Sequence, residues 1–360
     1  MNLSEENRLI LSMAREFAEK YVEPAAVEIE KSGIPGELLD RMSEMGYLSA
    51  ALPEELGGAG VEKSSYLLIL ETIAKHSPSL SFYTYLQNSL VLGALSLHHV
   101  TDAAGAAIKS IASGRKSGTV ILDSVLSARG ASSLELLEEG SVAGSAEYVL
   151  NPGADYVVAA ADTKDGSALC LLDGGAWPSV HGHSLGFRGI GFGSLVIGSA
   201  RANTHVIAST GGRQSVESAL SRGNCAAAAI ALGMAESTIE RAVDYAKGRK
   251  TFGSRLVEYT PLAHSLSSVM AEIEICREYV YGKAAEGEKE GLVAKLHATQ
   301  LAVSASKLSM QVHGGNGYFE EYRIEKFYRD AMALNAFSGN RNADRERLAR
   351  MLLGDGSASI

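Results

Sequence analysis

Apolar positions near the start of the chain recur at the spacing of one helix face. Leu9, Ile10, Met13, Ala14, Phe17 and Ala18 fall three and four residues apart, which predicts a helix burying that stripe. Pro24 interrupts the run, and Glu37-Leu38-Leu39-Asp40-Arg41-Met42 begins another helix. The loop Leu52-Pro53-Glu54-Glu55-Leu56-Gly57-Gly58-Ala59-Gly60 follows, its Pro and Gly residues unable to continue a helix. Residues 62–75 and 80–112 supply two further apolar-periodic stretches. Near Gly114 the pattern changes. Thr119-Val120-Ile121-Leu122, Tyr148-Val149-Leu150, Tyr156-Val157-Val158-Ala159, Ala168 to Leu172 and Leu195-Val196-Ile197 are short β-rich runs between Gly, Asp, Asn or Pro turns. From Val216 onward the pattern is helical again, with long helices predicted over Ala226–Ala246 and over residues 259–285 and 292–312. These signals divide the chain into an N-terminal helical domain at 1–114, a middle β domain at 115–210 and a C-terminal helical domain at 211–360. The stretches Ala226–Ala246 and Ala294–Met310 are apolar or small around much of their circumference. Helices of that kind are buried on more than one side, so a dimer or dimer of dimers packed through this last domain is expected.

Composition narrows the class. A hydrophobic fraction of 46% with 21% charged residues is ordinary for a globular protein. A net charge of −9 without any basic run argues against a nucleic-acid partner. No stretch approaches the roughly 20 apolar residues of a membrane helix. The segment MNLSEENRLILSMAREF is acidic and amphipathic, unlike a signal or transit peptide, so a cytoplasmic protein is expected. Cys170, Cys225 and Cys276 form no CxxC pair and read as buried small apolar residues, not metal ligands.

Chemistry concentrates between Gln311 and Gly354. Gly314-Gly315-Asn316-Gly317 makes a turn in which backbone can approach a ligand without a Cβ in the way. A helical segment ending near Tyr328-Arg329-Asp330, a break at Ser338-Gly339-Asn340 and an Arg-rich helix follow. In isolation a GGxG turn is a helix-hairpin loop. The run Gln311-x-His313-Gly314-Gly315-x-Gly317-Tyr318, then Arg329-Asp330-Ala331, resembles the C-terminal signature of the acyl-CoA dehydrogenase family in register. The Pro53-x-x-x-Gly57-Gly58-x-Gly60 loop after Gly46-Tyr47, and Gly186-Phe187-Arg188-Gly189, extend the resemblance along essentially the whole chain. It implies an N-terminal helical domain, a small central β-barrel or sandwich domain and a C-terminal four-helix bundle. It also implies FAD as cofactor and an acyl-CoA thioester as substrate.

Two intact motifs are implied to hold the ADP half of an FAD whose ring lies mainly in a neighbouring protomer. One is Arg249-Lys250-Thr251-Phe252-Gly253 after Tyr245; the other is Gln311-x-x-Gly314-Gly315. Arg249 alone would read as a solvated helix-end cation. Beside a stacking Phe and a Gly pair, its forked guanidinium suits pyrophosphate. The cofactor residues implied are therefore Arg249, Phe252, Gln311, Gly314 and Gly315.

The pieces implied to hold the ring within one protomer are altered. The family's Thr-Glu-Pro-x-x-Gly-Ser-Asp falls on Asp123-Ser124-Val125-Leu126-Ser127-Ala128-Arg129-Gly130, without a match. Its Trp-Ile-Thr/Ser falls on Tyr148-Val149-Leu150, where Leu150 has no hydroxyl. The catalytic glutamate is absent at both family positions, which carry Ser338 and Gly223, and the Thr of the usual Gly-Thr pair is Asn340. Proton abstraction beside a thioester needs a carboxylate in a water-excluded site, and Ser338 has none. Glu217 lies about two helical turns from Gly223 by the 1.5 Å rise and reads as part of a solvated face.

What survives serves a neighbour's flavin; what is missing serves the chain's own. The reading favoured is a non-catalytic subunit of a hetero-oligomeric acyl-CoA dehydrogenase, paired with a homologous subunit that carries the glutamate; unequal pairs of this kind occur in the family. Two others stay open: a self-sufficient homo-oligomer with a relocated acid such as Asp123 or Glu217, and a flavin-free scaffold or acyl-thioester binder on the same fold.

Overall fold

The computed structural model describes residues 3–126, 133–174, 179–198, 203–283 and 286–354. The N-terminal part is helical: α1 Glu5–Phe17, α2 Glu23–Ser32, α3 Gly36–Glu44, α4 Lys63–Ala74, α5 Pro78–Tyr85, the single turn α6 Gly93–Leu95 and α7 Asp102–Ala112. π-Helical turns at Ala18–Val22 and Leu86–Leu92 carry the chain from α1 to α2 and from α5 to α6. Ser4 caps α1 by accepting from the Asn7 N–H. The inward face of α1 is Asn7, Ala14 and Phe17, while Leu9 and Met13 point outward at 63% and 42% exposure. The helical period was legible, but two of its apolar positions belong to the outer face.

The middle region contains β1 Gly118–Val120, the turn α8 Asp123–Leu126, β2 Leu134–Leu136, β3 Val142–Leu150, β4 Tyr156–Thr163, β5 Gly166–Asp173, β6 Ser179–Gly182, β7 Phe192–Ile197 and β8 Asn203–Ala208. They form one sheet in the order β6-β7-β3-β2-β4-β5-β8, with β1 running parallel to β4. β4 is buried on both faces. Val157, Ala159 and Ala161 join the sheet's own apolar cluster with Val142, Cys170 and Leu195, whereas Tyr156, Val158 and Ala160 face the helical core. That double burial explains why β4 reads as an unbroken apolar run.

The C-terminal part holds α9 Gly212–Arg222, α10 Asn224–Gly248, the hairpin β9 Lys250–Thr251 and β10 Ser254–Arg255, α11 Thr260–Gly282, α12 Glu288–His313, α13 Ile324–Phe337 and α14 Arg341–Leu353. α13 begins beyond the Gly turn and continues past Arg329-Asp330 to Phe337, later than the sequence pattern indicated. α10 is the central helix, enclosed by α4, α5, α11, α12 and α13 of the same chain. Its all-round apolar character is therefore satisfied without a partner. α11 is the helix that leaves apolar surface open: only Leu266, Ile273, Cys276 and Val280 are buried, while Met270 and Ile275 are exposed.

Ion pairs pin the three regions together. Arg329 of α13 binds Glu30 of α2 at 2.7 Å and donates to the Leu185 carbonyl at 2.9 Å. Lys326 reaches Glu30 at 3.2 Å and the fully buried Asp330 at 2.6 Å, and Asp330 accepts the Phe187 N–H at 2.6 Å. Burial alone would raise the Glu30 carboxyl, but Lys326 and Arg329 together hold it below the ordinary carboxylate value. A Cβ on Gly186 would stand 2.3 Å from the Arg329 carbonyl oxygen, so the Gly186-Phe187-Arg188-Gly189 turn is a packing element. A cleft of about 540 Å³ opens beside this junction, between α2, β6–β7 and α13.

Candidate functional site

Two places carry the residues singled out from the sequence. The first is one end of the bundle, where α10 and α12 finish side by side. Asn316, just past α12, donates to the Tyr245 hydroxyl of α10 at 3.0 Å, and the Tyr245 and His313 rings lie 4.3 Å apart. Arg249 caps α10, its N–H donating to the Tyr245 carbonyl at 2.9 Å. Its guanidinium is exposed and makes no ion pair or side-chain hydrogen bond among the described residues. The chain then turns through Phe252-Gly253, both at positive φ (47° and 90°), as a two-residue hairpin requires. A bulky residue there is strained, and Phe252 is 100% exposed. Among the described residues no contact repays that strain. Gln311, Gly314 and Gly315 are also exposed, and a Cβ on either glycine would meet no atom within 4 Å. The five residues thus share an outward-facing surface with a cation, an aromatic face and uncrowded backbone, which fits the ADP half of FAD.

The second place is the turn between α13 and α14. Ser338 ends α13 and is 4% exposed. Its carbonyl accepts from the Lys295 ammonium at 3.0 Å, and Lys295 pairs with Asp344 at 2.7 Å. Burial pulls the Lys295 pKa down against the pull of Asp344. Asn340 caps α14, accepting from the Asn342 and Ala343 N–H groups at 3.0 and 3.2 Å. Gly223 joins α9 to α10, and a Cβ there would lie 2.8 Å from a ring carbon of Tyr85. Tyr85 is fully buried, its hydroxyl has no hydrogen-bond partner among the described residues, and burial pushes its pKa up. A glutamate at 223 would have to displace it. Leu220, Ser221, Asn224, Lys295 and Ser338 line a cleft of about 320 Å³, and Glu217 lines it too. Sequence reasoning gave Glu217 to a solvated face; its half-buried position at this cleft was visible only once α9 was packed.

The segment matched to the isoalloxazine offers little for a ring. Tyr148 sits at φ 60° where β3 bulges against β7, and it is 67% exposed. Its ring lies 5.9 Å from Phe192, which lies 5.2 Å from Phe337. Leu150 is buried, its carbonyl taken by the Thr119 hydroxyl at 2.5 Å. Asp123 is tied to Ser133 by the backbone N–H at 2.9 Å. Ser127 to Gly130 lie outside the described residues. Among the described residues no group of three or more His, Cys, Asp or Glu could hold a metal ion, and no helix is long and apolar enough to cross a membrane.

Models of the acyl-CoA dehydrogenase N-terminal and C-terminal domains match residues 4–114 and 210–353, on either side of the sheet. The chain belongs to the acyl-CoA dehydrogenase family. Two relatives are similar over nine tenths or more of their own length. The caffeyl-CoA reductase–Etf complex subunit CarC of Acetobacterium woodii is 26% identical over 98% of this chain and 100% of its own. Human mitochondrial short-chain specific acyl-CoA dehydrogenase is 28% identical over 98% of this chain and 91% of its own. Among solved structures, butyryl-CoA dehydrogenase from Megasphaera elsdenii superposes with a TM-score of 0.85 at 25% identity, covering 98% of this chain and 99% of that one. The acyl-CoA dehydrogenase fold and membership of a family of FAD-linked oxidoreductases follow.

Proposed function

We propose that this acyl-CoA dehydrogenase chain is the non-catalytic subunit of a hetero-oligomer, holding the ADP half of an FAD whose ring and substrate sit in a homologous partner. One observation carries the reading. Arg249, Phe252, Gln311, Gly314 and Gly315 gather on an exposed surface where this chain makes no use of them. Both family positions for the catalytic base, meanwhile, are without a carboxylate. The open apolar face of α11 supports a bound partner. Purifying the chain alone and with a co-expressed homologue carrying an intact glutamate tests this: FAD should be retained only in the pair.

A self-sufficient homo-oligomer is the second reading, favoured by Glu217 at the Ser338 cleft. It requires turnover by the chain alone and its loss in Glu217→Gln.

A further inference from the structure

Tyr85, at the end of α5, is the largest fully buried side chain among the described residues. Its ring lies 5.1 Å from that of Phe82, which stacks on Phe187 at 4.4 Å. Its hydroxyl is sealed from solvent and has no hydrogen-bond partner among the described residues. A buried donor left unpaired costs stability that a phenylalanine would not. What the phenol meets instead is the junction of α9 and α10. A Cβ on Gly223 would stand 2.8 Å from a ring carbon of Tyr85 and 3.0 Å from its hydroxyl oxygen. The ring thus fills the space in which a side chain at 223 would lie. Leu220, Ser221 and Asn224, which flank Gly223, line the cleft of about 320 Å³ shared with Ser338. Asp344 on the wall of that cleft acts on the Tyr85 phenol as well.

The two positions implied for the family's base, 338 and 223, belong to different elements. A base must come within hydrogen-bond reach, about 2.6–3.2 Å, of the proton it takes. Carboxylates anchored at either position can serve the same α-carbon only if the acyl group lies in the volume both side chains reach. At Gly223 that volume is taken by Tyr85. We propose that Tyr85 closes the acyl site of this chain from within, its ring excluding the acyl group of a thioester as well as a base at 223. The inference rests on the non-catalytic reading and gives it a second physical cause. Substrate is kept out by a side chain that is present, beyond the glutamate that is absent.

Calorimetric titration of the full chain with CoA and with butyryl-CoA tests this, because the two ligands differ only in the acyl group. The parent should not distinguish them by more than about twofold. Tyr85→Ala vacates the ring's volume and should bind butyryl-CoA roughly tenfold or more tightly than CoA, as burial of its apolar carbons requires. Tyr85→Val opens less space, should show a severalfold preference, and carries the comparison should Tyr85→Ala not fold. Tyr85→Phe keeps the ring and should behave as the parent. Loosened packing alone creates no preference between the two ligands. A parent that already favours butyryl-CoA about tenfold, or folded Ala and Val variants that treat the ligands alike, would overturn the proposal. Either result leaves the subunit reading to its own test, FAD retention with and without the partner.

Discussion

Arg249→Ala separates a residue that serves the chain from one that serves its neighbour. The guanidinium has no partner among the described residues and lies at the surface. Removing it should leave folding stability within about 0.5 kcal/mol of the parent, as for surface changes away from specific contacts. In the complex, the same side chain would make a charge-assisted contact to pyrophosphate, worth about 1.5–3 kcal/mol once desolvated. At 1.4 kcal/mol per decade that is a roughly ten- to hundredfold loss in FAD affinity. Arg249→Lys keeps the charge but not the planar fork, so it should fall between the two. The assay is dilution of the assembled complex with FAD release followed by fluorescence, beside a thermal melt and sedimentation of the same samples. The expected result is an unchanged melt, unchanged assembly and FAD lost at higher protein concentration than in the parent. A variant that retains FAD like the parent would refute the assignment. One that melts several degrees lower would show that Arg249 has a structural role instead.

Ser338→Glu adds a carboxylate but neither the hydroxyl missing at Leu150 nor the threonine replaced by Asn340, so flavin reduction by acyl-CoA should rise less than tenfold in a stopped-flow trace. Glu30 has a folded pKa below its ordinary 4.5, so its contribution to stability is present above that pH and is lost as pH falls through the folded value. Melting temperature should drop below about pH 4.5, and Glu30→Gln should flatten that drop while costing about 1.5–3 kcal/mol at neutral pH, since Arg329 and Lys326 lose a shared carboxylate but keep Glu325 and Asp330. Gly186→Ala drives a methyl into the Arg329 carbonyl and should destabilise the chain by about 1–3 kcal/mol in a denaturant titration.

Much of the fold was legible because helices and strands leave different periods, and the changes near Gly114 and Val216 mark where strands replace helices and then give way to them. Faces were harder. Leu9 and Met13 satisfy the helical spacing yet lie outside, because Asn7 is taken inward by hydrogen bonds to Ser64 and Ser65 of α4. An Ala-rich helix apolar all round looks the same whether its own chain or a partner encloses it, and α10 proved to be enclosed by its own. The exposed residues proposed to face the cofactor come from motif spacing, since local patterning says nothing of what an exposed cation would serve. Glu217, Lys295 and Asp344 meet only through tertiary packing between α9, α12 and α14. Lys295 reads in sequence as one more solvated lysine, and its burial beneath Ser338 could not be anticipated.

The division of labour is tested most directly by the chain purified alone, supplied with FAD and then with a short-chain acyl-CoA under anaerobic conditions. The account predicts little retained flavin after gel filtration and no bleaching of whatever flavin remains. Stoichiometric FAD on the isolated chain, bleached on addition of acyl-CoA, would contradict it.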